Sequence, residues 1–177
     1  MALYYGSQGA ILSIMQAMLE ETCKIIKNYL LNLNLTLAIA EATNCGLISY
    51  LLTREPGSSR FFRGSISAYS NHSKLNLLGI SESLIGTHGS VSKEMALEMA
   101  FRVRTLFDSD LGLAETGIAG PSGGSPAKPA GLFYIALSNK NREDYCTEHL
   151  FTGNRDQTRL QSTSASLKML HLYLSEL

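Results

Sequence analysis

The feature that most limits the fold of this 177-residue chain is the glycine- and proline-rich segment 116–131, which reads TGIAGPSGGSPAKPAG. Its five glycines and three prolines favour a loop over a helix or a strand. The apolar runs Leu111 to Thr116 and Gly131 to Leu137 on either side predict buried strands. Glycines let a backbone approach a ligand closely, and inward-turned amides bind anions. The loop is the first candidate ligand site, the alternative being a long ordered turn.

The remaining pattern predicts a mixed β-sheet covered by helices, that is, a three-layer α/β sandwich. Further strands are predicted at Leu35 to Ala40, Phe61 to Ala68 and Tyr145 to Phe151, the last forming a hairpin with the strand at 131–137. Helices are predicted over Gly46 to Leu52, over Asn71 to Leu78, after a Ser92 cap, and after a capping box formed by Asn154 and Gln157.

Apolar residues at helical spacing predict which helix faces lie on the core. Residues 1–9 are expected to be a loose leader, and residues 10–177 a single domain. The predicted inward faces are Ile11, Met15, Met18, Thr22, Ile25 and Tyr29 in the first helix, Met95, Met99, Val103 and Leu106 in the Ser92-capped helix, and Leu160, Leu167, Leu170 and Leu174 in the terminal helix.

Composition excludes several classes of protein. Fifteen basic residues balance fifteen acidic ones, so the chain lacks the positive field of a nucleic-acid binder. The three cysteines and four histidines lack metal-ligand or disulfide spacing, so we expect no metal, no cofactor and a reducing, cytoplasmic environment. The apolar stretch Ile11 to Leu19 is too short to span a bilayer, so no membrane partner is expected. A homo-oligomer stays open.

Four segments together resemble the C-terminal domain of the competence/damage-inducible protein CinA, a family that includes stand-alone nicotinamide-mononucleotide amidohydrolases. These are Leu37 to Leu52 around Glu41, Pro56 to Lys74 ending in YSNHSK, Thr116 to Gly131, and Gly153 to Asp156. The resemblance implies a three-layer α/β domain that releases ammonia from the carboxamide without a metal. It also implies a serine nucleophile in a Glu-Ser-Cys-Thr-Gly-Gly corner, activated by a lysine that corresponds to Lys74, with Tyr69 nearby.

The chain departs from the family motif at the nucleophile. The corner here reads EATNCG, which places Ala42 where the serine should stand. A methyl group can neither attack a carbonyl carbon nor give a proton to an amine. Thr43 offers a hydroxyl one position along, although adjacent side chains usually point in different directions. Cys45 replaces a glycine of the motif and is expected to be a small buried residue rather than a nucleophile.

The ligand-binding residues follow from the loop, the corner and the start of the terminal helix. A phosphorylated, nucleotide-like small molecule is the expected partner. Glu115 would repel an anion, so we expect it to face away from the ligand or to pair with Lys128 or an arginine. The candidates for ligand binding are Glu41, Thr116, Gly117, Gly120, Gly123, Gly124, Lys128 and Arg155.

Three functions are compatible with these observations, and whether the chain is an enzyme stays open. The first is a retained nucleotide pocket in which amidohydrolysis is lost or reduced because of Ala42. The second is an active amidase that uses Thr43, Cys45 or an activated water with Lys74. The third is a structural or protein-interaction module in which the loop and the lysine only stabilise the fold.

Overall fold

A computed structural model describes the backbone of residues 2–177 and the side chains of residues 17–177. The elements in chain order are α1 (Ala2–Asn32), β1 (Leu37–Glu41), α2 (Leu47–Thr53), β2 (Phe62–Ser67), α3 (Asn71–Leu78), α4 (Glu82–His88), α5 (Lys93–Leu106), β3 (Leu111–Gly117), β4 (Leu132–Asn139), β5 (Tyr145–Leu150) and α6 (Arg155–Ser175).

The five strands form one mixed sheet in the order β2-β1-β3-β4-β5. Strand β1 pairs in parallel with β2 and β3, whereas β3-β4 and β4-β5 are antiparallel, which confirms the predicted hairpin. Because β1, β2 and β3 are parallel, their carboxyl ends meet at one edge of the sheet. This edge therefore brings together three connections: the corner 42–46, the segment 68–70 before α3, and the loop that follows β3.

Helices cover both faces of the sheet, so the predicted three-layer α/β sandwich is confirmed. One core lies under α1, α2 and α6 and contains Ile39 of β1 and Leu113 of β3. The other lies under α3, α4 and α5 and contains Ala38 of β1 and Ala114 of β3. Both central strands are buried on both faces, as expected for parallel strands between two helical layers.

The predicted inward face of α1 was wrong by one residue. The buried stripe is Leu19, Cys23, Ile26 and Leu30, whereas Met18 is 66% exposed and Thr22, Ile25 and Tyr29 are only half-buried. The described part of this helix carries apolar residues on two adjacent stripes, so spacing alone does not select between them. The selection comes from packing against α6. Ile11 and Met15 belong to the residues whose side chains are not described.

Other differences are smaller. Helix α1 begins at Ala2 and continues past residue 9, so the backbone shows no break between the predicted leader and the residues that follow it. Met1 lies outside the described residues. In α5, Met95, Met99 and Val103 are buried as predicted, but Leu106 is 57% exposed because it lies in the last turn of the helix. In α6, Leu160 is half-buried while its three partner leucines are buried, and the Asn154/Gln157 capping box is confirmed. Helix α4 was not predicted.

Adjacent isoleucines in α1 test which stripe faces the core. We expect Ile26→Ala to lower the free energy of unfolding by about 3 kcal/mol, because the truncation leaves a cavity in a fully buried position. The same truncation at half-buried Ile25 is expected to cost about 1 kcal/mol or less. Urea denaturation of both variants measures the difference, and equal losses would mean that the register of α1 is wrong.

Candidate functional site

A cavity of about 260 Å³ opens at the edge where the three parallel strands end. It contains nine of the twelve site residues predicted from the sequence. Glu41, Gly124 and Lys128 are not among its lining residues. The cavity is lined by Ala42, Thr43, Tyr69, Lys74, Ser90, Val91, Thr116, Gly117, Ile118, Ala119, Gly120, Ser122, Gly123 and Arg155.

Glu41 is a structural residue and not the ligand-binding residue that was predicted. Its side chain is fully buried, and its carboxylate accepts hydrogen bonds from the backbone N–H groups of Gly46 (3.0 Å), Ile48 (3.1 Å) and Ser49 (3.0 Å). The Ser49 hydroxyl donates a fourth bond at 2.6 Å. These donors lie at the start of α2, where helix N–H groups lack partners within the helix. Glu41 therefore stabilises the corner from within.

Glu115 is the counterpart of Glu41 on the neighbouring strand, and the two residues are paired in register. Its Oε1 atom accepts the N–H groups of Thr43 and Asn44, both at 2.7 Å, while its buried Oε2 atom has no hydrogen-bond partner. Burial raises the pKa of this carboxyl to about 7, Glu41 also raises it, and Lys74 lowers it. Glu115 points into the corner and does not line the cavity, which agrees with the expectation that it faces away from a ligand; the alternative pairing with Lys128 or an arginine is not seen among the described residues.

The corner keeps a glycine-like backbone although one glycine of the family motif is absent. Cys45 has a φ of 55° and Gly46 a φ of 97°, both in the left-handed region. Cys45 thus adopts a conformation that is uncommon for a residue with a side chain. Its thiol is exposed rather than buried, contrary to the prediction, and it does not line the cavity. The corner therefore combines a left-handed backbone with a residue other than glycine at position 45.

Lys74 lies on α3, and a capping box between Ser70 and Ser73 starts this helix. The lysine is only 2% exposed, and its Nζ donates a hydrogen bond to the carbonyl oxygen of Ala68 at 2.9 Å. Burial lowers the pKa of the amine, and Glu115 partly opposes that shift. The Ala42 methyl lines the same cavity. The structure thus brings the buried amine of Lys74 and the methyl group of Ala42 into one cavity.

The Thr43 hydroxyl does not point to Lys74. It donates to the carbonyl oxygen of Gly117 at 2.8 Å and accepts the Gly117 N–H at 3.0 Å. Both bonds tie the corner to the start of the glycine-rich loop. The hydroxyl proton is therefore engaged in the hydrogen bond to Gly117. In this conformation Thr43 positions the start of the loop relative to the corner.

Arg155 connects the loop to the tyrosine that the sequence placed beside the lysine. One guanidinium nitrogen donates to the carbonyl oxygen of Gly120 at 3.2 Å, and another donates to the Tyr69 hydroxyl at 3.1 Å. Arg155 is the first residue of α6, where a cation opposes the helix dipole. The two hydrogen bonds offset the unfavourable interaction between the Arg155 charge and the helix dipole.

Lys128 and Gly124 do not line this cavity, and each has a structural reason for its identity. The Lys128 Nζ donates to the carbonyl oxygens of His88 (2.7 Å) and Val91 (2.6 Å), which holds the loop against the connection before α5. A Cβ on Gly124 would lie 2.6 Å from the Ala130 nitrogen, so the loop itself requires glycine there.

The sequence analysis missed five of the lining residues, which are Ser90, Val91, Ile118, Ala119 and Ser122. Ile118, Ala119 and Ser122 lie inside the glycine-rich loop and could have been included with it. Ser90 and Val91 belong to the connection between α4 and α5, which carries no motif. They reach the cavity because the Thr116 hydroxyl donates to the Ser90 carbonyl oxygen at 2.7 Å, a contact that has no signal in the sequence.

The chemistry available at this edge comes from amines, hydroxyls and backbone groups. Among the residues whose side chains are described, no group of histidine, cysteine or carboxylate side chains could hold a metal ion. No helix in that part of the chain is both long and apolar enough to cross a membrane.

The sheet order and the helical layers define an α/β domain, and its lysine-containing cavity lies at the carboxyl ends of the parallel strands. The family model of the CinA C-terminal domain matches residues 19–174. The chain therefore belongs to the CinA C-terminal domain family, as the four sequence segments indicated.

Curated relatives and solved structures agree with this assignment. A putative competence-damage inducible protein of Caldanaerobacter subterraneus subsp. tengcongensis is 43% identical over 155 residues, covering 88% of this chain and 37% of that protein. A CinA-like protein of Syntrophus aciditrophicus is 46% identical over 142 residues, covering 80% and 34%. The chain thus spans little more than a third of the length of these relatives.

Among solved structures, the chain is similar to the competence/damage inducible protein CihA from Agrobacterium tumefaciens, with a TM-score of 0.83 and 33% identity. That match covers 89% of this chain and 95% of the other. A competence or damage-inducible protein from Enterobacter asburiae gives a TM-score of 0.84 at 27% identity, covering 88% and 98%.

The raised pKa of Glu115 predicts how stability depends on pH. The folded protein holds this proton up to about pH 7, whereas an ordinary glutamate loses it near 4.5. The folded state therefore binds more protons in this window, and the contribution of Glu115 to stability falls as pH rises from 4.5 to 7. Between pH 4.5 and 7, the free energy of unfolding of the wild type is expected to fall by roughly 2–4 kcal/mol more than that of Glu115→Gln. Urea denaturation at several pH values checks this, and parallel pH profiles would contradict it.

Proposed function

We propose that this chain binds a phosphorylated, nucleotide-like small molecule, with nicotinamide mononucleotide as the first candidate, and that its amidohydrolase activity is lost or strongly reduced. The observation that carries the proposal is the pairing of Ala42 and Lys74 in one cavity, with an amine that has no hydroxyl to activate. A lysine base accelerates acyl chemistry only through a nucleophile whose proton it can accept.

The charge of the cavity supports an anionic ligand. Among its lining residues are two basic side chains, Lys74 and Arg155, and no carboxylate. The two carboxylates closest in sequence, Glu41 and Glu115, are buried beneath the corner and are engaged with backbone N–H groups. Arg155 can contact a phosphate without first breaking an ion pair, because its present acceptors are neutral oxygens.

The geometry weighs against two of the substitute nucleophiles. The Thr43 hydroxyl is bonded to Gly117 on both its donor and acceptor sides, and the exposed Cys45 thiol lies outside the cavity lining. A water molecule activated by Lys74 is the remaining route to an active amidase. The alternative of a structural module requires that the cavity bind no nucleotide.

Restoring the serine tests the loss of activity. We expect the wild type to release no ammonia from nicotinamide mononucleotide above background, and Ala42→Ser to raise the rate by about 10²-fold or more, because the hydroxyl then lies in the cavity that holds Lys74. The double variant Ala42→Ser/Lys74→Met is the control and should be inactive. A wild type that already matches the serine variant would overturn the proposal and favour the water route.

Thermal unfolding tests binding independently of chemistry. Nicotinamide mononucleotide at a hundred times its Kd should stabilise the wild type by about 2.7 kcal/mol. Arg155→Gln should shift the midpoint of that titration to higher ligand concentration, because the variant removes a cavity cation. Arg60→Gln changes an exposed arginine outside the cavity and should leave the titration unchanged. The absence of any shift in the wild type would favour the structural module.

A further inference from the structure

Lys74 is a buried nucleophile that the proposed function leaves without a role in chemistry. Its side chain is 2% exposed, yet it lines a cavity that is open to small molecules. Among the residues whose side chains are described, the Lys74 amine donates one hydrogen bond, to the Ala68 carbonyl oxygen, and forms no ion pair with a carboxylate. Glu115 is nevertheless close enough to influence its charge.

The surroundings of the amine favour its neutral form. Burial is the larger effect on Lys74 and lowers its pKa, while Glu115 raises it by a smaller amount. A neutral amine carries a lone pair that can attack a carbonyl carbon, whereas an ammonium group cannot. The side chain at position 42 is a methyl group, so this member of the cavity lining offers no hydroxyl to that lone pair.

We propose that Lys74 captures small phosphorylated aldehydes as an imine, in the cavity on which the proposed function also rests. The amine nitrogen attacks the aldehyde carbon, and the carbonyl oxygen takes up a proton to give a carbinolamine. The carbinolamine then loses its hydroxyl group with a proton as water, which leaves a C=N bond between ligand and lysine. The reaction is a condensation that releases one water and needs no oxidant or reductant.

The ligand class follows from the cavity. A volume of about 260 Å³ suits a molecule the size of a small sugar phosphate. Arg155 provides a cation for the phosphate, and Lys74 reacts at the carbonyl end. Hydroxyl groups of Tyr69 and Thr116 lie in the same lining and can bond the hydroxyls of such a ligand.

Reductive trapping of the full chain tests this proposal. The protein is incubated with glyceraldehyde 3-phosphate or with glyceraldehyde, treated with sodium borohydride, and digested for mass spectrometry. We expect Lys74 to be labelled faster than the exposed lysines Lys24 and Lys168 at neutral pH, because Lys74 lines the cavity and burial lowers its pKa, which increases its neutral fraction. Equal or slower labelling of Lys74 would overturn the proposal.

Two variants separate the reactive amine from the phosphate site. Arg155→Gln should remove the advantage of glyceraldehyde 3-phosphate over glyceraldehyde while Lys74 still reacts with both. Glu115→Gln removes a charge that raises the pKa of Lys74, so the labelling rate should reach its plateau at lower pH than in the wild type. An unchanged pH profile would contradict the assigned environment.

These measurements also distinguish failure of this inference from failure of the proposed function. Labelling by glyceraldehyde depends on the amine and not on nucleotide binding, so it can succeed when nicotinamide mononucleotide causes no thermal shift. If the mononucleotide binds, it should slow the labelling of Lys74 but not that of Lys168. Binding that leaves the labelling of Lys74 unchanged would mean that the aldehyde does not react in the proposed cavity.

Discussion

Two carboxylates buried beneath one strand-to-helix corner determine the geometry of the site. Glu41 and Glu115 occupy paired positions on neighbouring parallel strands and together accept five backbone N–H groups, those of residues 43, 44, 46, 48 and 49. Hydrogen bonds to charged groups contribute about 1.5–3 kcal/mol each, which offsets part of the cost of burying the charge. The corner is consequently held in place by the protein itself, before any ligand binds.

This arrangement leaves the backbone N–H groups of the corner engaged within the protein. Consecutive inward amides at a strand-to-helix corner are ordinarily a phosphate site, but here the protein's own carboxylates take those amides. The basic side chains in the cavity lining are Lys74 and Arg155. Lys128, the loop's own cation, holds the loop against the connection before α5 and does not line this cavity. The positive charge of the cavity therefore comes from α3 and α6 and not from the loop itself.

Features set by local chemistry could be predicted from the sequence, whereas those set by packing could not. Capping boxes, the hairpin turn and the glycine-rich loop depend on a few neighbouring residues, and the parallel strands then brought Ala42, Lys74 and Arg155 to one edge. The inward stripe of α1 depends on α6, which lies far along the chain. The role of Glu115 was missed for a related reason, because its hydrogen-bond donors lie 71 and 72 residues away.

The same corner explains how alanine can stand at position 42 while the corner keeps its hydrogen bonds. The five N–H contacts involve backbone groups, so they do not depend on which side chain stands at position 42. Cys45 shows the same tolerance, since the corner imposes a positive φ on a residue other than glycine. A corner whose shape is set by buried acids beneath it can tolerate a change of side chain at position 42 without collapsing.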